Sequence, residues 1–193
     1  MERYNLAEIY AEVKVHFNKF AELWQDWGIA AETIYEGDDE GLWLLKHGEN
    51  VLRPLRISII PDLRSETELP WISLMSNEKT DIFKAEACNR RYLRSYFERL
   101  TEYLVLEAAQ APAIEKSKLH IRKSGKHLYF SLPVEGGDFW FSFHLRRKGW
   151  TWTIRRWSNS HGWIVVDRVY RPLNENPIEA FVGIVDHIGL ALL

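Results

Sequence analysis

Between Leu6 and Trp27 apolar side chains fall at Leu6, Ile9, Val13, Phe17, Phe20, Trp24 and Trp27, with Glu8, Glu12, Glu22 and Asp26 mostly between them. Intervals of three and four residues place the first set on one side of a helix and leave the other side acidic. Gly28 punctuates the end of this helix, and the polar run from Glu36 to Gly41 makes a turn. The period then changes. Leu55, Ile57 and Ile59 alternate with Arg56 and Ser58, so 53–60 reads as a short extended segment, and 71–74 as another beyond Pro61 and Pro70. From Thr80 to Ala108 the stripe Ile82, Leu93, Phe97, Leu100 and Leu104 predicts a long central helix, with Arg94 and Glu98 one turn apart on its solvent side.

The clearest pattern runs from Lys118 to Tyr170. Leu119 and Ile121, then Leu128, Phe130 and Leu132, then Phe139, Phe141, Phe143 and Leu145, then Trp150, Trp152 and Ile154 each alternate with more polar neighbours. A fifth segment, Trp163 to Tyr170, is apolar on both sides apart from Asp167 and Arg168. The pieces between are short and contain glycine, which forces successive strands to be antiparallel. A five-stranded meander results. Asn176, Pro177 and Glu179 then supply a cap, a first-turn proline and a capping-box acid for a final helix. Its face of Ile178, Phe181, Val185, Ile188 and Leu192 fits the apolar side of the sheet or an interface between copies, making 177–193 a candidate homo-oligomer contact.

The expected fold is therefore α+β, a five-stranded antiparallel meander packed against a long central helix and a C-terminal helix, with an additional N-terminal amphipathic helix. The length of 193 residues suits one core, so the expectation is a single domain over 1–193, helical across 1–115, with the sheet and terminal helix across 116–193. No internal sequence repeat or low-complexity segment is visible.

Charge alters this picture more than composition does. The formal net charge is −2, which argues against a uniformly basic nucleic-acid binder, yet residues 1–50 carry 4 basic and 11 acidic side chains while 116–171 carry 12 basic and 3 acidic. The acidic first helix is a natural cover for a basic sheet. A lone cysteine, Cys88, fits a reducing compartment, the first residues do not read as a secretory signal, and no apolar stretch reaches the ~20 residues that span a bilayer, so a cytoplasmic location is expected.

Alternation also lists the sheet's other face. It carries Lys118, His120 and Arg122, then His127, Tyr129 and Ser131, then Trp140, Ser142, His144 and Arg146, then Thr151, Thr153, Arg155 and Trp157. Five of the nine tryptophans lie between positions 140 and 163, and indoles are costly to leave in water. Two binding chemistries suit such a face. Trp140, Arg146, Arg155 and Trp157 are types that concentrate energy at protein interfaces, so another protein is the expected partner. Lys118, Arg122, Arg146 and Arg155 with Tyr129, Trp140 and Trp157 also match a single-stranded nucleic-acid platform, with cations on phosphates and rings on bases. A small hydrophobic or anionic ligand, carried or transformed, is a third class.

Catalytic and metal chemistry find no complete motif. His120, His127 and His144 share the outer face, yet no strand acid joins them, so no metal site and no cofactor are expected. Arg156 and His161 match a short RNA-cleaving spacing only outside the helix it requires, and Glu68-Leu69-Pro70 has proline where a metal-dependent nuclease needs lysine. Cys88 has no histidine within a helical turn, and Ser158, Ser160 and His161 offer no nucleophile elbow. The expectation is a non-enzymatic cytoplasmic interaction module such as an immunity, inhibitor or adaptor protein.

Overall fold

A computed structural model describes residues 5–61, 70–76, 79–84, 90–110, 121–124, 127–134 and 137–187. Lys118, His120 and Cys88 lie outside these residues. The chain is α+β and divides into two compact units, Met1–Leu100 and Thr101–Leu193.

In the first unit, helix α1 (Leu6–Asp26) is followed by five strands, β1 (Ile29–Glu36), β2 (Glu40–His47), β3 (Asn50–Ile60), β4 (Trp71–Ser76) and β5 (Lys79–Lys84). They pair in sequence order as an antiparallel meander. Asn5 caps α1 by accepting from the Ala7 amide, and the helix ends at Gly28, whose φ of 77° suits a residue without a Cβ. The buried side of α1 is Tyr10, Val13, Phe17 and Trp24. Phe17 meets Trp43 of β2 with ring centroids 4.5 Å apart, and Phe97 closes the same cluster against Phe20 at 5.5 Å. Leu45, Leu55, Ile57, Ile72 and Leu74 complete the core.

This sheet corrects the expectation of a helical region over 1–115. Only 53–60 and 71–74 were legible as extended, and the predicted helix from Thr80 begins at Arg90, because 79–84 pairs with β4 as a strand. The acidic α1 applies its apolar side to the β1–β5 sheet through Phe17 and Trp43.

Helix α2 (Arg90–Gln110) contributes Leu93, Phe97 and Leu100 to the first core, and its residues from Thr101 onward belong to the second unit. Five strands follow there: β6 (Arg122–Ser124), β7 (His127–Val134), β8 (Gly137–Arg146), β9 (Gly149–Ser158) and β10 (Gly162–Pro172), then helix α3 (Pro177–His187). The order β10-β9-β8-β7-β6 is the expected meander. Helix followed by five-stranded meander thus occurs twice, a repeat of element order that the residue pattern does not reveal.

Packing on the inner face follows the alternation. Phe130, Phe141, Phe143, Trp150, Trp152 and Ile154 are buried, and Phe181 of α3 meets Trp152, Phe141 and Phe130 at 4.9, 5.2 and 5.6 Å. Asn176 caps α3, its Oδ1 accepting from the Ile178 amide at 2.9 Å. Both inner indoles find acceptors: Trp150 donates to the Glu175 carbonyl at 2.8 Å and Trp152 to the Pro177 carbonyl at 2.9 Å. Edge strand β10 takes one extra residue between Val165 and Asp167, and edge strand β1 takes one between Thr33 and Tyr35. Among the described residues no helix is long and apolar enough to cross a membrane.

Candidate partner-binding face

The outer face of the β6–β10 sheet is built from the register of its strands. Tyr129 on β7 stands opposite Ser142 and Arg122, Trp140 on β8 opposite Ser131 and Arg155, and Trp157 on β9 opposite Trp163 on β10. The β9–β10 reversal sets the last pair. Gly162 closes it with a φ of 69°, a conformation that most side chains resist, and so brings Trp163 directly across from Trp157.

These rings form a continuous ladder. Tyr129 and Trp140 stack with centroids 4.0 Å apart and planes within 14°, Trp140 and Trp163 follow at 3.7 Å, and Trp163 meets Trp157 edge-on at 5.3 Å. Aromatic pairs in such geometries contribute ~0.5–1.5 kcal/mol each beyond the area they bury, so the ladder is internally stabilised. Exposure grades along it. Tyr129 is buried, Trp140 and Trp163 are half-buried, and Trp157 at the end remains 48% exposed.

Arg155 and Arg122 flank the rings, opposite Trp140 and Tyr129, while Arg146 stands at the far end of β8, opposite Gly149. Arg146 and Arg122 are exposed and Arg155 is half-buried beside Trp140. Among the described residues neither Arg146 nor Arg155 forms an ion pair. By contrast Arg156, one residue on, projects from the opposite side of β9 and places its guanidinium 5.5 Å from the Phe139 ring. The centre of the face is closed: Ser142, Thr151 and Thr153 are buried, and Glu102 of α2 reaches the β8 strand, accepting from the Leu145 amide at 3.3 Å. A helix therefore covers part of this face, and the helix is α2.

Two residues were missed by sequence reasoning. Alternation does not assign Trp163 to the outer face, because its segment is apolar on both sides; the short reversal from Ser158 to Gly162 sets the register that places it opposite Trp157. Nothing local in the sequence around Glu102, within the long central helix, signals its approach to His144, whose Nδ1 lies 3.5 Å from the carboxylate. His127 and His144 come together as expected of a shared face, with Nδ1 and Nε2 2.9 Å apart. In the turn, Ser160 Oγ lies 2.7 Å from His161 Nδ1 and 3.1 Å from Ser158 Oγ, all three groups being near the surface.

Comparison with family models, curated proteins and solved structures finds nothing that matches this chain.

Proposed function

We propose that the protein is a non-enzymatic cytoplasmic interaction module, in the manner of an immunity, inhibitor or adaptor protein, and that its partner is another protein held on the outer face of the β6–β10 sheet. One observation carries the reading: a stacked ring ladder ends in the half-exposed Trp157, two residues along β9 from Arg155, which has no ion-pair partner among the described residues. Trp and Arg concentrate interface energy because they combine large buried area with directional polar contacts. A fixed ladder also loses little side-chain freedom on binding. The surplus of Arg122, Arg146 and Arg155 favours a partner surface carrying carboxylates.

The ladder argues for a protein over single-stranded nucleic acid. Base stacking needs open ring faces, and Tyr129 and Trp140 already stack on each other, with Trp163 against Trp140. Capture from the native cell by wild-type protein and by a Trp157→Ala, Arg155→Ala double variant tests the proposal. The variant is expected to fold normally and lose partner affinity by at least about 30-fold. Equal capture by both proteins overturns the assignment of this face. Recovery of RNA or DNA with a steep salt dependence transfers the face to the nucleic-acid reading.

A further inference from the structure

We propose that His127 and His144 are the two protein ligands of a divalent transition-metal site on the β7–β8 strand pair. Two residues past the Tyr129 and Ser142 pair, the imidazoles face each other across the strands, with ring centroids 4.8 Å apart and planes at 71°. His127 Nδ1 and His144 Nε2 are 2.9 Å apart, a hydrogen bond in which either nitrogen could be the donor, and a bound ion takes the place of the shared proton, which is released to solvent. An ion about 2.0–2.1 Å from each nitrogen sees them at about 90°, the angle of neighbouring ligands in octahedral or square-planar coordination. A few tenths of an ångström of opening reaches the tetrahedral angle zinc prefers.

The carboxylate behind His144 makes this more than a cross-strand contact. Glu102 Oε1, buried and fixed by the Leu145 amide, lies 3.5 Å from His144 Nδ1, on the side of the ring away from His127. A carboxylate on that side favours the proton on Nδ1 and leaves Nε2 as the ligating atom; closing the gap to hydrogen-bond distance gives the carboxylate–histidine–metal order found behind coordinating imidazoles. Glu102 is thus a positioning residue. No acid in a strand joins these histidines, as the sequence indicates; the acid comes from α2. Among the described residues no group of three or more His, Cys, Asp or Glu forms a larger ligand set. Water fills the remaining positions, which suits nickel(II) or copper(II) at least as well as zinc(II).

Isothermal titration of the full chain, freed of metal by chelator, with nickel(II) chloride and separately with zinc(II) chloride tests the site without any partner protein. One ion per chain is expected, accompanied by a higher Tm. His127→Asn and His144→Asn are each expected to weaken binding more than tenfold and to abolish the metal-dependent Tm rise. Glu102→Gln is expected to keep the one-to-one stoichiometry with affinity reduced about tenfold. Absence of stoichiometric binding by wild type overturns the proposal, as does binding unaltered in His127→Asn. His127 is exposed, so that variant decides the matter even if His144→Asn fails to fold.

Discussion

The indole of Trp152 donates to the Pro177 carbonyl at 2.9 Å, tying the middle of the second sheet to the first residue of its terminal helix. Trp152→Phe keeps most of the ring packing against Phe181 but removes this donor in a buried setting. A loss of ~1–2 kcal/mol is expected, read as a lower urea midpoint with an unchanged slope.

The cap of the same helix gives a second prediction. Asn176 Oδ1 accepts from the Ile178 amide at 2.9 Å and lies 3.4 Å from the Glu179 amide. Asn176→Ala is expected to cost ~0.5–2 kcal/mol, and Asn176→Asp to retain most of the stability, both measurable by urea unfolding.

Tyr10 carries the opposite sign. Its hydroxyl is buried and has no hydrogen-bond partner among the described residues. Tyr10→Phe is therefore expected to be neutral or to stabilise at pH 7, since a stranded polar atom costs ~1–3 kcal/mol. Burial, reinforced by the nearby Glu36 and Glu40, pushes the Tyr10 phenol up to about 12. Below the ordinary tyrosine value of about 10 the phenol is neutral in both states and its ionisation contributes nothing to the pH dependence. Between about 10 and about 12 the unfolded chain ionises first, so wild type loses stability as pH rises through that window. The difference between wild type and Tyr10→Phe in urea midpoint, followed from pH 9 to 12, is expected to move in favour of the variant.

Close approach explains Gly41. A Cβ there would collide with Trp43 Cη2 and with the Tyr10 hydroxyl. Gly41→Ala is expected to destabilise the first unit by ~1–3 kcal/mol, and combining it with Tyr10→Phe to recover only part of that, because Trp43 still blocks the position. Thermal unfolding of the single and double variants checks both statements.

The two sheets were unequally legible for reasons visible in their residues. In the second, the buried residues Phe130 and Leu132, then Phe139, Phe141 and Phe143, then Trp150, Trp152 and Ile154 fall two apart within their strands, so period and register are written plainly. In the first, β2 reads Leu42-Trp43-Leu44-Leu45, four apolar letters, although only Trp43 and Leu45 are buried. Strand β1 buries only Ile29 along its length, and β3 contains Pro54, which usually counts against a strand. The outer aromatic face could be listed from alternation, and its basic frame with it. Its partial cover by α2 could not, since a helix contact such as Glu102 with the β8 backbone joins residues 43 positions apart.

Two of the four edge strands expose apolar side chains, Ile34 and Tyr35 on β1 and Ile164, Val165 and Val166 on β10, and each carries its extra residue within that stretch. An incoming extended segment meets an uneven row of amides and carbonyls at the spot where its own side chains would adhere best. Deleting Val166 would restore even spacing to the longer edge, and concentration-dependent light scattering is expected to rise in that variant. An unchanged scattering signal in that variant would mean that the inserted residue does not protect the aliphatic margin it interrupts.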